Sequence, residues 1–357
     1  MVPKFNFIFK CKVIIHFFIL LHISILMQSC ESKPFADFPF AKERFITGRV
    51  YSFLDSVYLR YPFRIRQIDT LLYILDMHGT EYYCHTLTFP KMTQTSSFAV
   101  RGNGPEQFLS VENIRLGSKG TLYLLDANKH SIGIYNHFNN NPLKRINLSM
   151  NLIRCLDFAL VNDSLFVIPD YTGQYRINIV DNSGNIKKQL FQIPTKKRQD
   201  PNIPDIVLAQ AWRSFLDYNP DNGILAMVTQ LGQVIEIYNL KTNETINILY
   251  GKLGEPEFAN QGVYAVPTGI MGYSDVHVGK DKIYALFWGT SFKDIRKENH
   301  YNRIEGGNII QVFSLDGTPL FEFTLDKYIT GFCIDESRNT LLGLDVNNEQ
   351  QIVKYQL

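Results

Sequence analysis

Five cysteines among 357 residues, none in a Cys-x-x-Cys spacing, leave neither a disulfide framework nor a thiolate metal knuckle to organise this chain. A basic surplus is also missing. Lys+Arg number 36 against Asp+Glu 34, and residues 1–29 hold three lysines (Lys4, Lys10, Lys12) and no acid, so the remainder carries a net charge of −1. That balance excludes a nucleic-acid footprint. No Gly-x-Ser-x-Gly elbow, His-Glu-x-x-His helix or phosphate loop occurs, and the histidines beyond the leader (His78, His85, His130, His137, His277, His300) are scattered. Stretches with an apolar helical face are almost absent as well.

What the chain has in quantity is Phe, 26, and Tyr, 19, residues that suit pleated, half-buried surfaces. At the N-terminus Lys4, Lys10 and Lys12 precede the apolar run Val13 to Leu26, which is shorter than the roughly 20 residues of a membrane span. Ser29 and Cys30 follow in "MQSC". The order of charge, apolar run and cysteine resembles a bacterial lipobox, with Met27 and Gln28 departing from its usual residues. The resemblance implies that 1–29 is a lipoprotein signal peptide and that Cys30 is lipidated. The stretch 30–43, with Pro34 and Pro39 and no periodicity, reads as a tether.

From residue 44 onward a strand, turn, strand pattern recurs. Its clearest copy, Ile114 to Leu148, reads as four strands, with Leu122, Tyr123 and Asp126 matching Leu72, Tyr73 and Asp76 one copy earlier. Six copies can be followed, and the last is one strand short. Arg44 to Leu59 holds strand-type residues with no partner of its own, so it is expected to supply the outer strand of the last unit and close a ring. The fold class predicted is all-β, a six-bladed β-propeller over 44–357.

The stretch Gly102-Asn103-Gly104-Pro105-Glu106-Gln107-Phe108 lies between two copies and is echoed at Gly251 to Phe258. With the lipobox and the repeats it resembles the TolB-like six-bladed β-propeller lipoproteins of Gram-negative bacteria, related in layout to NHL-repeat propellers. Their pattern is Gly-x-Gly-Pro-Gly-Glu-Phe, from which Glu106 and Gln107 depart. Gly102, Gly104 and Pro105 read as a structural crossing between blades, and Phe108 and Phe258 as plugs. An anion nest on Gly102 to Gly104 is the alternative.

Starts of inner strands face the central channel, and this brings Arg64, Glu112, Asn113, Arg154, Arg213 and Asp275 forward as channel-mouth ligand residues. Converging arginines would suit an anionic or sugar-like ligand, or pair with the acids instead. Long insertions at Thr195 to Trp212, Gly251 to Gly269 and Thr290 to Gly307 offer loops for binding, with Trp212, Trp288 and Tyr301 able to stack on sugars. The function expected is a lipid-anchored, non-enzymatic module of the cell envelope, on the periplasmic or surface face of the outer membrane. It would bind a protein or glycan partner and need no cofactor. The alternative is a lactonase- or lyase-like propeller enzyme with a divalent metal at the channel mouth, for example on Glu112, Asp275 and His277. Mass spectrometry of the membrane-extracted protein is expected to find Cys30 acylated at the mature N-terminus, and an intact Met1 start would overturn the lipobox reading.

Overall fold

The computed structural model describes residues 38–53, 58–138, 141–297 and 304–357; Cys30, the leader and Tyr301 lie outside them. The compact unit Asp37–Leu357 is a ring of six small antiparallel sheets. Among the described residues no helix is long and apolar enough to cross a membrane.

The innermost strands are, in blade order, Pro62–Ile68, Val111–Leu116, Ala159–Asn162, Ser214–Asn219, Tyr273–Val278 and Phe332–Asp335. Within each blade the chain steps outward from strand to strand. Second strands such as Leu71–Asp76, Thr121–Asp126 and Ile224–Thr229 are buried nearly throughout, because a neighbouring blade covers each of their faces. Outer strands such as Pro142–Asn147 and Ile186–Leu190 alternate only weakly and carry lysines to solvent. This gradient from apolar to polar is the physical reason why the copies could be aligned in the sequence.

The recurring aspartate at the end of the second strand has a mechanical role. Asp76 accepts hydrogen bonds from the backbone N–H groups of Arg60 and Tyr61 at 2.8 Å each, and Asp126 accepts from Leu109 at 2.8 Å and Ser110 at 3.2 Å. Each carboxylate thus holds the incoming crossing segment against the turn it must pass.

Closure differs in one respect from the single strand expected of Arg44 to Leu59. Arg49–Tyr51 does complete the sixth blade, pairing antiparallel with Ile352–Gln356. Lys42–Ile46, which begins inside the stretch read as a tether, instead adds a parallel fifth strand to the fifth blade, against Pro319–Ile329. That outer strand is 11 residues long and would otherwise present an open edge. Ahead of it Phe38 and Phe40 meet Phe313, with ring centroids 5.3 and 5.4 Å away. The inner strand of blade six packs against that of blade one, which shuts the ring.

The two N-terminal strands are joined at Gly48, whose N–H donates to Asp326 Oδ1 at 3.0 Å. A Cβ there would stand 2.2 Å from Val353 Cγ1 and 2.7 Å from the Tyr355 ring. Gly48→Val is therefore expected to lift the closing strand from blade six and lower the unfolding free energy by about 1–3 kcal/mol, as overpacking does. Chemical denaturation compared with a substitution at exposed Phe45 measures this effect.

Candidate functional site

The axis of the ring poses a polar problem. Each innermost strand is an edge strand, and its unpaired N–H and C=O groups look into the channel. The sequence answers with side chains from these strands and from the residues just before them. Asp157 Oδ2 accepts from the N–H of Leu216 in the next blade at 2.9 Å, Asp217 Oδ2 from Val278 at 2.9 Å, and Asp275 Oδ2 from Phe332 at 3.1 Å. Arginines serve the carbonyls. Arg115 Nε donates to Phe158 O at 2.7 Å and Arg64 Nη2 to Ser274 O at 2.9 Å. The charges then pair: Arg115 lies 3.2 Å from Asp157 and 2.8 Å from Asp217, and Arg64 lies 3.5 Å from Asp275. The Arg64 guanidinium is sandwiched over the rings of Phe63 and Phe215 at 3.8 and 4.6 Å. A plug of salt bridges thus fills the middle of the channel and separates an upper mouth, where inner strands begin, from a lower mouth, where they end.

Of the residues singled out in the sequence, Arg64, Asn113 and Asp275 fall in this plug and are 0–2% exposed. Asn113 Nδ2 donates to Asp157 Oδ1 at 2.5 Å. Glu112 points the other way and accepts from Ser110 Oγ at 2.6 Å; burial raises its carboxyl, opposed by that hydrogen bond and by the charge of Arg213. Arg154 and Arg213 are exposed on the upper face, where they line a cavity of about 260 Å³ with Tyr171, Gln210, Gln230 and Met271. The Tyr171 hydroxyl is buried without a hydrogen-bond partner among the described residues, and burial raises its pKa. The structure therefore divides the six residues between plug and upper mouth.

Three polar residues at the lower mouth stand two positions beyond residues already named. Arg66, Arg115 and His277 follow Arg64, Asn113 and Asp275 at the same-face spacing of a strand, and Asp217 joins them. These residues and Cys333 line a cavity of about 620 Å³ with walls that include Leu116, Leu160, Val276 and Ile334. His277 Nδ1 lies 3.4 Å from Asp217 Oδ2. Burial pushes the Cys333 thiol up to about 12, so it remains a protonated wall residue. The signal for this mouth is simple alternation carried from the starts of the inner strands to their ends.

The crossing loop Gly102 to Phe108 uses its donors internally. Gly104 N donates to Gln107 Oε1 at 2.9 Å and Gly102 N to Phe108 O at 2.9 Å, while Lys129 Nζ caps the carbonyls of Gly104 and Gln107 at 2.6 and 2.7 Å. Gly102 has φ +152°, and a Cβ there would meet Gln107 Oε1 at 2.1 Å. Phe108 is fully buried between the first two blades, beneath Arg145 at 4.2 Å. The echo ends differently. Phe258 opens the hairpin of Phe258–Gln261 and Tyr264–Pro267 and is half-buried under Lys197, so it is no plug between blades. Trp212 is also displaced from the role suggested for it, being 0% exposed beneath the helix Asp205–Ala211. Glu112, Asp275 and His277 do not converge; among the described residues no three His, Cys, Asp or Glu side chains stand close enough to hold a metal ion.

Asp217 is a strongly tuned carboxylate on the axis. Burial alone would raise its pKa, but Arg115, the His277 hydrogen bond and the Val278 N–H outweigh burial and hold it at about 2. Because the folded value lies below the unfolded one, its contribution is present above the unfolded pKa and fades as pH falls through the folded pKa. Asp217→Asn is expected to lower unfolding free energy by about 2 kcal/mol at neutral pH, with the gap to the unsubstituted protein narrowing between about pH 4 and pH 2. Urea titrations across that range measure it; a gap independent of pH would contradict the assignment.

Comparison with known proteins agrees with the ring. No curated protein matches the sequence. Solved structures similar in fold include a Bacteroides fragilis protein described as exported (TM-score 0.53, 11% identity, covering 88% of this chain and 98% of that one). A member of the DUF4221 family from Bacteroides vulgatus gives TM-score 0.57 at 11% identity with the same coverages, 88% and 98%. A streptogramin B lyase gives TM-score 0.50 at 13% identity over 86% of this chain and 97% of that one. At such identities the likeness concerns the fold alone. The family model described as TolB-like 6-blade propeller-like matches residues 39–337, nearly the whole ring, and the chain belongs to that family.

Proposed function

We propose that this protein is a lipid-anchored, non-enzymatic binding module of the bacterial cell envelope, which docks a protein or glycan partner on its upper face. The observation that carries this reading is the gathering of two long insertions around the Arg154 and Arg213 cavity. The first contributes the helix Asp205–Ala211 and the second the hairpin of Phe258–Gln261 and Tyr264–Pro267. They are tied together by Gln210 Nε2 donating to Val263 O at 2.9 Å, Asn260 Nδ2 to Asn202 O at 2.7 Å and Thr195 Oγ1 to Glu255 Oε2 at 2.5 Å. The hairpin tip presents Val263 and Tyr264 at 57% and 58% exposure.

Loops on a rigid scaffold commonly carry recognition, and exposed tyrosine and arginine on one loop-bearing face are residue types favoured at interfaces. Arg154 and Arg213 have no carboxylate within ion-pair distance among the described residues; Arg213 Nε donates to Gln230 Oε1, which leaves the remaining guanidinium N–H groups for an acidic or hydroxyl-rich partner. Placement in the envelope draws on the leader and Cys30, with the fold relative from Bacteroides fragilis described as exported in support.

Cross-linking in intact cells, followed by identification of captured species, tests the reading. A specific partner is expected with the unsubstituted protein. Capture should fall at least tenfold when Arg154→Ala, Arg213→Ala and Tyr264→Ser are combined, a loss of about 1.4 kcal/mol or more. Equal capture by both forms, or none by either, would sink it.

A further inference from the structure

The lower mouth has a feature that the plug does not use. Three arginines, Arg64, Arg66 and Arg115, meet at the axis, together with the carboxylates of Asp157, Asp217 and Asp275. Ion pairs within 4 Å commit Arg64 to Asp275 and Arg115 to Asp157 and Asp217. Arg66 has no such pair among the described residues. Its Nη1 donates to Ile65 O at 2.8 Å and its Nη2 reaches Asn113 Oδ1 only at 3.5 Å. Burial lowers its pKa, and the charge of Arg115 adds to that. Asp275 and Asp217 act on Arg66 only from beyond ion-pair distance, so this half-buried guanidinium lacks a contact partner of opposite charge, and the open direction from it is the cavity of about 620 Å³.

The other walls restrict what enters. Leu116, Leu160, Val276 and Ile334 supply apolar surface, far more than a bare inorganic anion would cover. At the rim, Asp163 is fixed by the N–H of Ser118 at 3.2 Å and by its hydroxyl, and Asp217 stands beside His277. These carboxylates would repel a second negative charge. The volume falls in the range of about 300–1000 Å³ typical of small-molecule sites. We propose that the lower-mouth cavity binds a small organic monocarboxylic acid, its carboxylate on Arg66 and its apolar body along Leu116, Leu160 and Ile334. The guanidinium edge matches a carboxylate with two parallel hydrogen bonds, and the buried side chains of the plug behind it lower the local dielectric that those bonds feel. This site is separate from the partner-docking face and stands or falls independently of it.

The test is isothermal titration of the purified full chain with hexanoate and benzoate, with hexanamide, benzamide and inorganic phosphate as controls. Saturable binding of one or both carboxylates is expected, with no saturation by amides or phosphate at the same concentrations. Arg66→Gln should weaken binding at least tenfold and Arg66→Lys less, while Leu116→Trp, which fills the cavity and leaves Arg66 in place, should abolish it. Thermal unfolding of each variant verifies that it is folded, and Leu116→Trp decides the matter if Arg66→Gln is not. The proposal is overturned if neither carboxylate saturates, if the amides or phosphate bind as tightly, or if Leu116→Trp binds as the unsubstituted protein does.

Discussion

Everything at the centre of this protein depends on satisfying six inner sheet edges at once. A propeller gains stability by packing blade against blade, but it leaves a column of backbone donors and acceptors facing a narrow channel. Here aspartates accept the N–H groups of the following blade and arginines donate to the carbonyls. The same charges neutralise one another across blades. Each inner strand is therefore fixed relative to its neighbours by directional contacts as well as by apolar packing, and removing one partner would leave a buried charge uncompensated. A comparable pair works off-axis, where Arg176 and Glu236, both at most 2% exposed, join blades three and four with a 2.6 Å contact.

The plug divides what would be a single pore into two separate mouths. Its upper side is ringed by insertions and its lower side by short turns between first and second strands. The upper mouth is thus built from sequence that departs from the repeat, the lower mouth from sequence within it. The partner docking proposed above draws on the former, and the proposed small-ligand site on the latter.

Much of the architecture was legible because the constraints act locally. Leu72, Tyr73 and Asp76 repeat as Leu122, Tyr123 and Asp126 because the second strand is buried on both faces and its terminal aspartate must hold the next crossing. The missing strand of blade six was likewise readable from counting. Less was legible where distant segments compete for the same edge. That Lys42–Ile46 would cover blade five could not be seen from its own residues, because the demand comes from the length of Pro319–Ile329. In the site, alternation named the correct strands, but it could not say which charges were consumed by the plug. Arg64 and Arg66 differ by two positions and look alike in the sequence; their carboxylate environments separate them.

Stitching the N-terminal strands into blades five and six sets the order in which the ring can be made. Val50 pairs with Val353 and Lys42 with Phe321, so the first strands of the ring in chain order remain without partners until its last two blades are present. Blades one to four can form as each is completed, whereas the segment around Phe45 and Val50 has to wait as a solvated, unpaired strand. Its Lys42, Glu43, Arg44 and Arg49 keep that waiting strand charged on both sides, a composition suited to surviving the interval without sticking to its neighbours.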